Sequence, residues 1–203
     1  MPLTRIEGKT KVYVIMLDTF LQLMAIIPVL IVVCVGLLIV RHHGVSRAST
    51  VSVHAGQHPK SAFILALTIL IAGTLYYLNV WLWVGQKYHL MNINLLMPLA
   101  FVALLMLALF PAEKNRMFSA KLHRLAGIVI VLLMFIIAGL IAVNPAIDGS
   151  GLTARIAAIV FIVVSISMLV SFCLFKSVRN EVFLLQASYA VMFFVLIIVA
   201  TFL

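Results

Sequence analysis

The sequence predicts an all-α fold, a polytopic transmembrane helical bundle of six spans, in a single integral membrane domain covering residues 1–203. Hydrophobic residues make up 66% of the chain and charged residues 9%, whereas soluble domains carry about 25% charged residues. So few charges cannot cover a surface that faces water. The apolar residues also lie in blocks of about 20, and a helix of that length crosses roughly 30 Å of hydrocarbon. Lipid is therefore the predicted solvent of these blocks.

Uninterrupted runs without charged residues define the spans. They cover residues 20–40, 61–83, 90–110, 125–143, 156–175 and 182–203. The first run is much longer than the apolar region of a signal peptide, and Arg41 follows it instead of small residues, so we expect an uncleaved first span. Pro111 directly after the third run and Asn144-Pro145 after the fourth indicate reversals of the chain.

Basic residues lie mainly in the short connections between the spans. The chain has 14 Lys and Arg against 5 Asp and Glu. Attraction to anionic lipid headgroups accounts for this placement better than binding to nucleic acid, which we do not expect. Nine of the 14 belong to the first, third and fifth connections. The positive-inside rule then predicts both termini outside the cytoplasm, although the basic N-terminal tail favours the inverted orientation.

Four polar side chains within or beside the spans are candidates for intramembrane contacts. Asp18 lies at the edge of the first span, where a carboxylate acts as an interfacial anchor. Gln22 lies one turn further along, so the pair is alternatively a polar pocket or a proton path. Asn79 and Gln186 are expected to hydrogen-bond across helices. The aromatic residues that end the second span are expected at the headgroup level, namely Trp81, Trp83 and Tyr88.

Histidines gather on one predicted side of the membrane. With a neighbouring proline and acid they form a candidate polar face, made of Pro111, Glu113, His123, His54 and His58. Nearby cations are candidate contacts for lipid headgroups, namely Lys114, Arg116, Lys121 and Arg124. Imidazole binds metals readily, so a metal ion or haem is an alternative, but neither helical ligand spacing nor a histidine pair inside facing spans supports it. We therefore predict no metal ligands, no cofactor and no catalytic residues.

The third connection resembles an uncharacterised prokaryotic membrane family called domain of unknown function 998. The resemblance is carried by Leu109-Phe110-Pro111 followed by a short polar stretch and His123. The connection from His54 to Pro59, Gly73 in the second span, and Leu185-Gln186 near the start of the last are similar too. The family's usual Thr-Asp-Pro after Phe-Pro is replaced here by Ala112-Glu113-Lys114. The resemblance implies a six-span protein of a prokaryotic plasma membrane and no established activity.

Three functional hypotheses follow from these patterns. The first is a non-enzymatic protein with a small transport, sensing or accessory role at the face of Pro111, Glu113, His123 and the histidines of the first connection. The second is a membrane-embedded enzyme or redox protein that uses His123 with Glu113 or with a bound metal. The third is a structural subunit of a homo- or hetero-oligomer. Metalloprotease, hydrolase and phosphate-loop motifs are missing from the sequence, which favours a non-enzymatic role. Membrane lipids are expected contacts in every case.

Overall fold

The computed structural model describes residues 3–43, 52, 58–90, 92–110, 117–144, 151–175 and 181–203, with the backbone alone for 3–14, 43, 182 and 183. Six long helices make up most of the described chain, and no strand occurs among these residues. The helices are α1 (Leu3–His43), α2 (Pro59–Asn79), α3 (Ile93–Leu109), α4 (Met117–Val143), α5 (Leu152–Leu174) and α6 (Val182–Phe202). The second span continues past α2 through a π-helical segment, Val80–Val84, and a last α-helical turn, Gly85–Lys87. The prediction of an all-α bundle is confirmed.

The helices differ in how they match the thickness of a bilayer. Among the described residues, five helices are long and apolar enough to cross it. The 17 residues of α3 reach only about 25 Å at 1.5 Å per residue, so this helix suits a thin stretch of hydrocarbon. The 41 residues of α1 begin well before the predicted span at residue 20. An uncharged run locates the part of a helix that lies in lipid, and helical hydrogen bonding continues past it because no proline interrupts the chain there.

The six described helices form a closed ring in chain order. Each helix packs against the next, and α6 packs against α1 and against the π-helical segment. Short connections between consecutive helices require antiparallel neighbours, which gives the ring its up-and-down topology. We call the end where α2 and α6 finish and α5 begins the Lys87 end, and the opposite end the His123 end.

Burial is concentrated at the Lys87 end of the ring. The main cluster of buried side chains comes from the second span, the start of α3, the end of α4, the start of α5 and the end of α6. In contrast, the described side chains of residues 166–175 and 184–192, toward the His123 end, include none that is buried. The Lys87 end is therefore where side chains from many helices are held in fixed contact.

Gly73 lets α2 approach α3 closely. A Cβ atom at this position would overlap with Cδ1 of Leu104 and lie 2.8 Å from its Cδ2. The small residue therefore makes room for a leucine of the neighbouring helix, which is how membrane helices commonly achieve close packing.

We expect Gly73→Ala to lower the free energy of unfolding by about 1 kcal/mol, because the flexible end of Leu104 must move to accommodate the added methyl group. Combining it with Leu104→Ala should cost less than the sum of the two single changes. Gly127→Ala is the matched control, since no atom lies within 4 Å of its added Cβ. Unfolding in bicelles by steric trapping measures these differences. Strict additivity of the two changes would refute the proposed overlap.

Candidate functional site

Side chains that end the second span hold the last turn of α6. Trp83 Nε1 donates to the carbonyl of Thr201 at 3.0 Å. Lys87 Nζ donates to the carbonyls of Ala200 and Thr201 at 3.2 and 3.4 Å, and the Tyr88 hydroxyl donates to Ala200 at 2.9 Å. Carbonyls in the last turn of a helix lack the usual helical donors and carry its negative partial charge. A cation and two neutral donors therefore satisfy this helix end.

The local geometry of the second span places these donors on one side. Asn79, Trp83 and Lys87 are four residues apart, and all three contact α6. An α-helix has 3.6 residues per turn, so side chains placed every four residues point in gradually different directions around it. The wider turns of Val80–Val84 lie between Asn79 and Lys87 and offset that drift. The π-helical segment thus keeps the three side chains directed at the same neighbour.

Asn79 joins three helices in the interior. Its side chain is fully buried. The amide Nδ2 donates to the Leu21 carbonyl of α1 at 2.8 Å, and Oδ1 accepts from Thr201 Oγ1 of α6 at 3.2 Å. These are the cross-helix hydrogen bonds expected of a polar side chain in lipid. The Thr201 carbonyl also accepts from Trp83 and Lys87. A continuous set of hydrogen bonds therefore runs from the Leu21 carbonyl of α1 through Asn79 and Thr201 to the side chains of the Lys87 end.

A second set of hydrogen bonds ties two chain reversals together at the Lys87 end. Asn144 Nδ2 donates to the Tyr88 carbonyl, and Arg155 Nη2 donates to the Asn144 carbonyl. Lys87 Nζ lies 5.2 Å from the centroid of the Tyr88 ring. The Tyr88 hydroxyl is protonated at neutral pH and able to donate, and burial raises its pKa further. Two cations and a protonated tyrosine thus share this end of the bundle.

Among the described residues, Lys87 and Arg155 donate hydrogen bonds only to backbone carbonyls. Lys87 donates to Ala200 and Thr201, and Arg155 donates to Asn144. The Nε atom of Arg155 is buried and has no hydrogen-bond partner in the part of the chain that the structure describes. Buried N–H groups, above all charged ones, normally have an acceptor. The unsatisfied Nε therefore marks a position at the Lys87 end where the described residues supply no acceptor.

The candidate polar face lies at the His123 end, and the structure describes part of it. His123 Nδ1 lies 2.8 Å from the Phe110 carbonyl, and since a carbonyl only accepts, Nδ1 carries the proton. His58 is exposed at the start of α2, and Lys121 and Arg124 are exposed on α4. Five members of the two predicted groups lie outside the described residues, namely His54, Pro111, Glu113, Lys114 and Arg116. The proposal that this face forms a binding site stays a prediction.

Two of the other intramembrane candidates lie in the same half of the bundle as Asn79. Asp18 and Gln22 are half-buried on α1, next to the Leu21 carbonyl that Asn79 binds. Gln186 is exposed on α6. Within the part of the chain that the structure describes, no three His, Cys, Asp or Glu side chains come together in a way that would hold a metal ion.

Sequence reasoning missed the residues that build the Lys87 end. In the sequence, Lys87 and Arg155 are two of the 14 basic residues and belong, like Thr201 and Asn144, to no functional motif. A usable signal was available, because the ends of the second, fourth and sixth spans and the start of the fifth lie on one side of an up-and-down bundle. Polar residues at those four positions are therefore expected to meet.

No family model, curated protein or solved structure matches this chain. The resemblance to domain of unknown function 998, and with it the location in a prokaryotic plasma membrane, stays a prediction. The multi-pass helical architecture is supported by the helices themselves.

Proposed function

We propose that this chain is a non-enzymatic multi-pass membrane protein with a sensing or accessory role, exercised at its Lys87 end. One observation carries the proposal. The donors gathered there bind backbone carbonyls of neighbouring helices, as Trp83, Lys87 and Tyr88 do on α6. Donors used in this way fix the relative positions of helix ends. A general acid or base must instead be able to exchange a proton with a substrate.

The packing of the interior favours sensing or accessory work over transport. Phe161 is buried between rings of two other helices, with centroids 5.7 Å from Phe135 and 5.5 Å from Phe193. Tyr76 packs at 5.9 Å from Phe193 and donates to its carbonyl at 3.2 Å. A solute crossing between these helices would have to separate the rings. A fixed end that binds a ligand or partner needs no such opening.

The main competing function is a redox protein or enzyme centred on His123. Its Nδ1 is engaged by the Phe110 carbonyl, which leaves Nε2 as the nitrogen that a metal or haem would use. The proposal is tested by the absorption spectrum and metal content of the detergent-purified chain. Under the non-enzymatic function, neither haem nor metal is present in stoichiometric amount.

We expect His123→Ala to leave the spectrum and metal content unchanged and to lower the free energy of unfolding by about 1 kcal/mol, the value of one hydrogen bond. Lys121→Ala, an exposed change on the same helix, is the control and should have little effect. Thermal unfolding in dodecylmaltoside measures both variants. Stoichiometric metal or haem that is lost with His123 would establish the redox function instead.

A further inference from the structure

We infer that Arg155 and Lys87 bind an anionic phosphate group at the Lys87 end, supplied by the headgroup of a membrane lipid. The inference deepens the proposed function and rests on it, because a sensing or accessory end requires a ligand. Arg155 carries the argument. Its Nη2 donates to the Asn144 carbonyl, while its buried Nε has no acceptor among the described residues. An unmade hydrogen bond of a buried charged donor is costly, and a phosphate oxygen would supply the missing acceptor.

The chemistry of the two side chains favours an anion. A guanidinium presents its N–H groups in a planar fork that matches the oxygens of a phosphate. Lys87 adds a second positive charge at the same end of the bundle, where its Nζ lies over the ring of Tyr88 and the Tyr88 carbonyl accepts from Asn144. The half-buried carboxylate of Asp18 lies in the same half of the bundle. The hydrogen bonds of both cations within the described residues nevertheless go to backbone carbonyls, so their charge is available to an anion.

The position of the site favours a lipid headgroup over a free phosphate ion. Trp81 donates its indole N–H to Asn94 at 2.7 Å near the end of the second span, where amphipathic rings mark the headgroup level. Leu152 and Ile156 flank Arg155 on α5 and are 50% and 53% exposed. A lipid that places its phosphate on Arg155 can therefore lay an acyl chain along this apolar surface, which a free ion cannot use.

The test compares lipid binding by two arginine variants of the full chain. Arg155→Lys keeps the charge and removes the fork, and Arg41→Lys makes the same change at an exposed arginine of the His123 end. Native mass spectrometry measures binding of phosphatidylglycerol and phosphatidylcholine to each. We expect Arg155→Lys to weaken phosphatidylglycerol binding about tenfold, as the loss of a charged hydrogen bond predicts, and Arg41→Lys to leave it unchanged. Equal losses in the two variants would overturn the inference.

A second arm identifies the source of the phosphate. Thermal unfolding of the delipidated chain is followed with phosphatidylglycerol vesicles or with inorganic phosphate. Stabilisation that depends on Arg155 and appears with the vesicles alone supports the headgroup. The same stabilisation with inorganic phosphate supports the phosphate site and assigns it to a free ion. No Arg155-dependent stabilisation in either arm overturns the site.

Folding of the variants does not limit the test. If Arg155→Lys yields no folded protein, competition between the two lipids on the unaltered chain decides, and a preference for phosphatidylglycerol below about twofold overturns the inference. This result is separable from the proposed function. A failure of lipid selectivity leaves the absorption spectrum and metal content unchanged, whereas a failure of the non-enzymatic function appears in those two measurements.

Discussion

Replacing Asn79 by alanine is expected to lower the free energy of unfolding by about 2 kcal/mol, well above the average for one polar contact between membrane helices. Three effects add. The Leu21 carbonyl loses a donor and the buried Thr201 hydroxyl loses its acceptor. The truncation also leaves a void at a fully buried position, and the surrounding helices relax only partly into it. Steric trapping in bicelles measures the difference.

Matched changes separate these effects. Asn94→Ala removes an exposed asparagine that accepts from Trp81 and should cost less than about 0.5 kcal/mol, as most surface changes do. Thr201→Val removes one hydroxyl at nearly constant volume, and its effect should depend on Asn79. If Thr201→Val costs as much in the Asn79→Ala chain as in the unaltered chain, the two side chains are not coupled and the linkage of α1 to α6 is wrong.

The existence and class of the helices could be predicted from the sequence because lipid imposes a length. A backbone in hydrocarbon must satisfy its own amides, so every apolar run of about 20 residues is a helix. The same argument located the ends of α3 and α4, where Pro111 and Asn144-Pro145 follow the apolar runs. It gave no account of the first residues of α1, because helical structure beyond the bilayer needs no apolar run.

The contacts within the bundle could not be predicted in the same way. Side chains that face lipid and side chains that face a neighbouring helix are both apolar, so the sequence pattern does not distinguish the two faces of a span. Asn79 stood out as a polar residue, but its partners Leu21 and Thr201 are 58 and 122 residues away in the chain. Lys87 and Arg155 gained their significance from helix ends that meet only in the folded ring.

Phe161→Ala is expected to have the largest effect of the changes considered, a loss of about 3 kcal/mol in the free energy of unfolding. The Phe161 ring is 2% exposed. It packs at centroid distances of 5.7 Å from Phe135 of α4, 5.2 Å from Tyr189 and 5.5 Å from Phe193, both of α6. Removing it deprives two neighbouring helices of contacts at once, and the void lies within the main cluster of buried side chains.

The source of this loss is packing and not transfer from water, because the unfolded helices remain in lipid, which is as apolar as the ring itself. Phe63→Ala provides the comparison, since Phe63 is 69% exposed on α2. Its side chain contacts lipid both in the folded bundle and in the unfolded helices. Its expected effect is within about 0.5 kcal/mol, the usual range for exposed positions. Steric trapping measures the free energy of unfolding of both variants. Equal losses for the two phenylalanine changes would mean that the aromatic contacts of Phe161 do not stabilise the helix bundle. The polar links at Asn79 and the Lys87 end would then supply a larger share of the stability than the aromatic cluster.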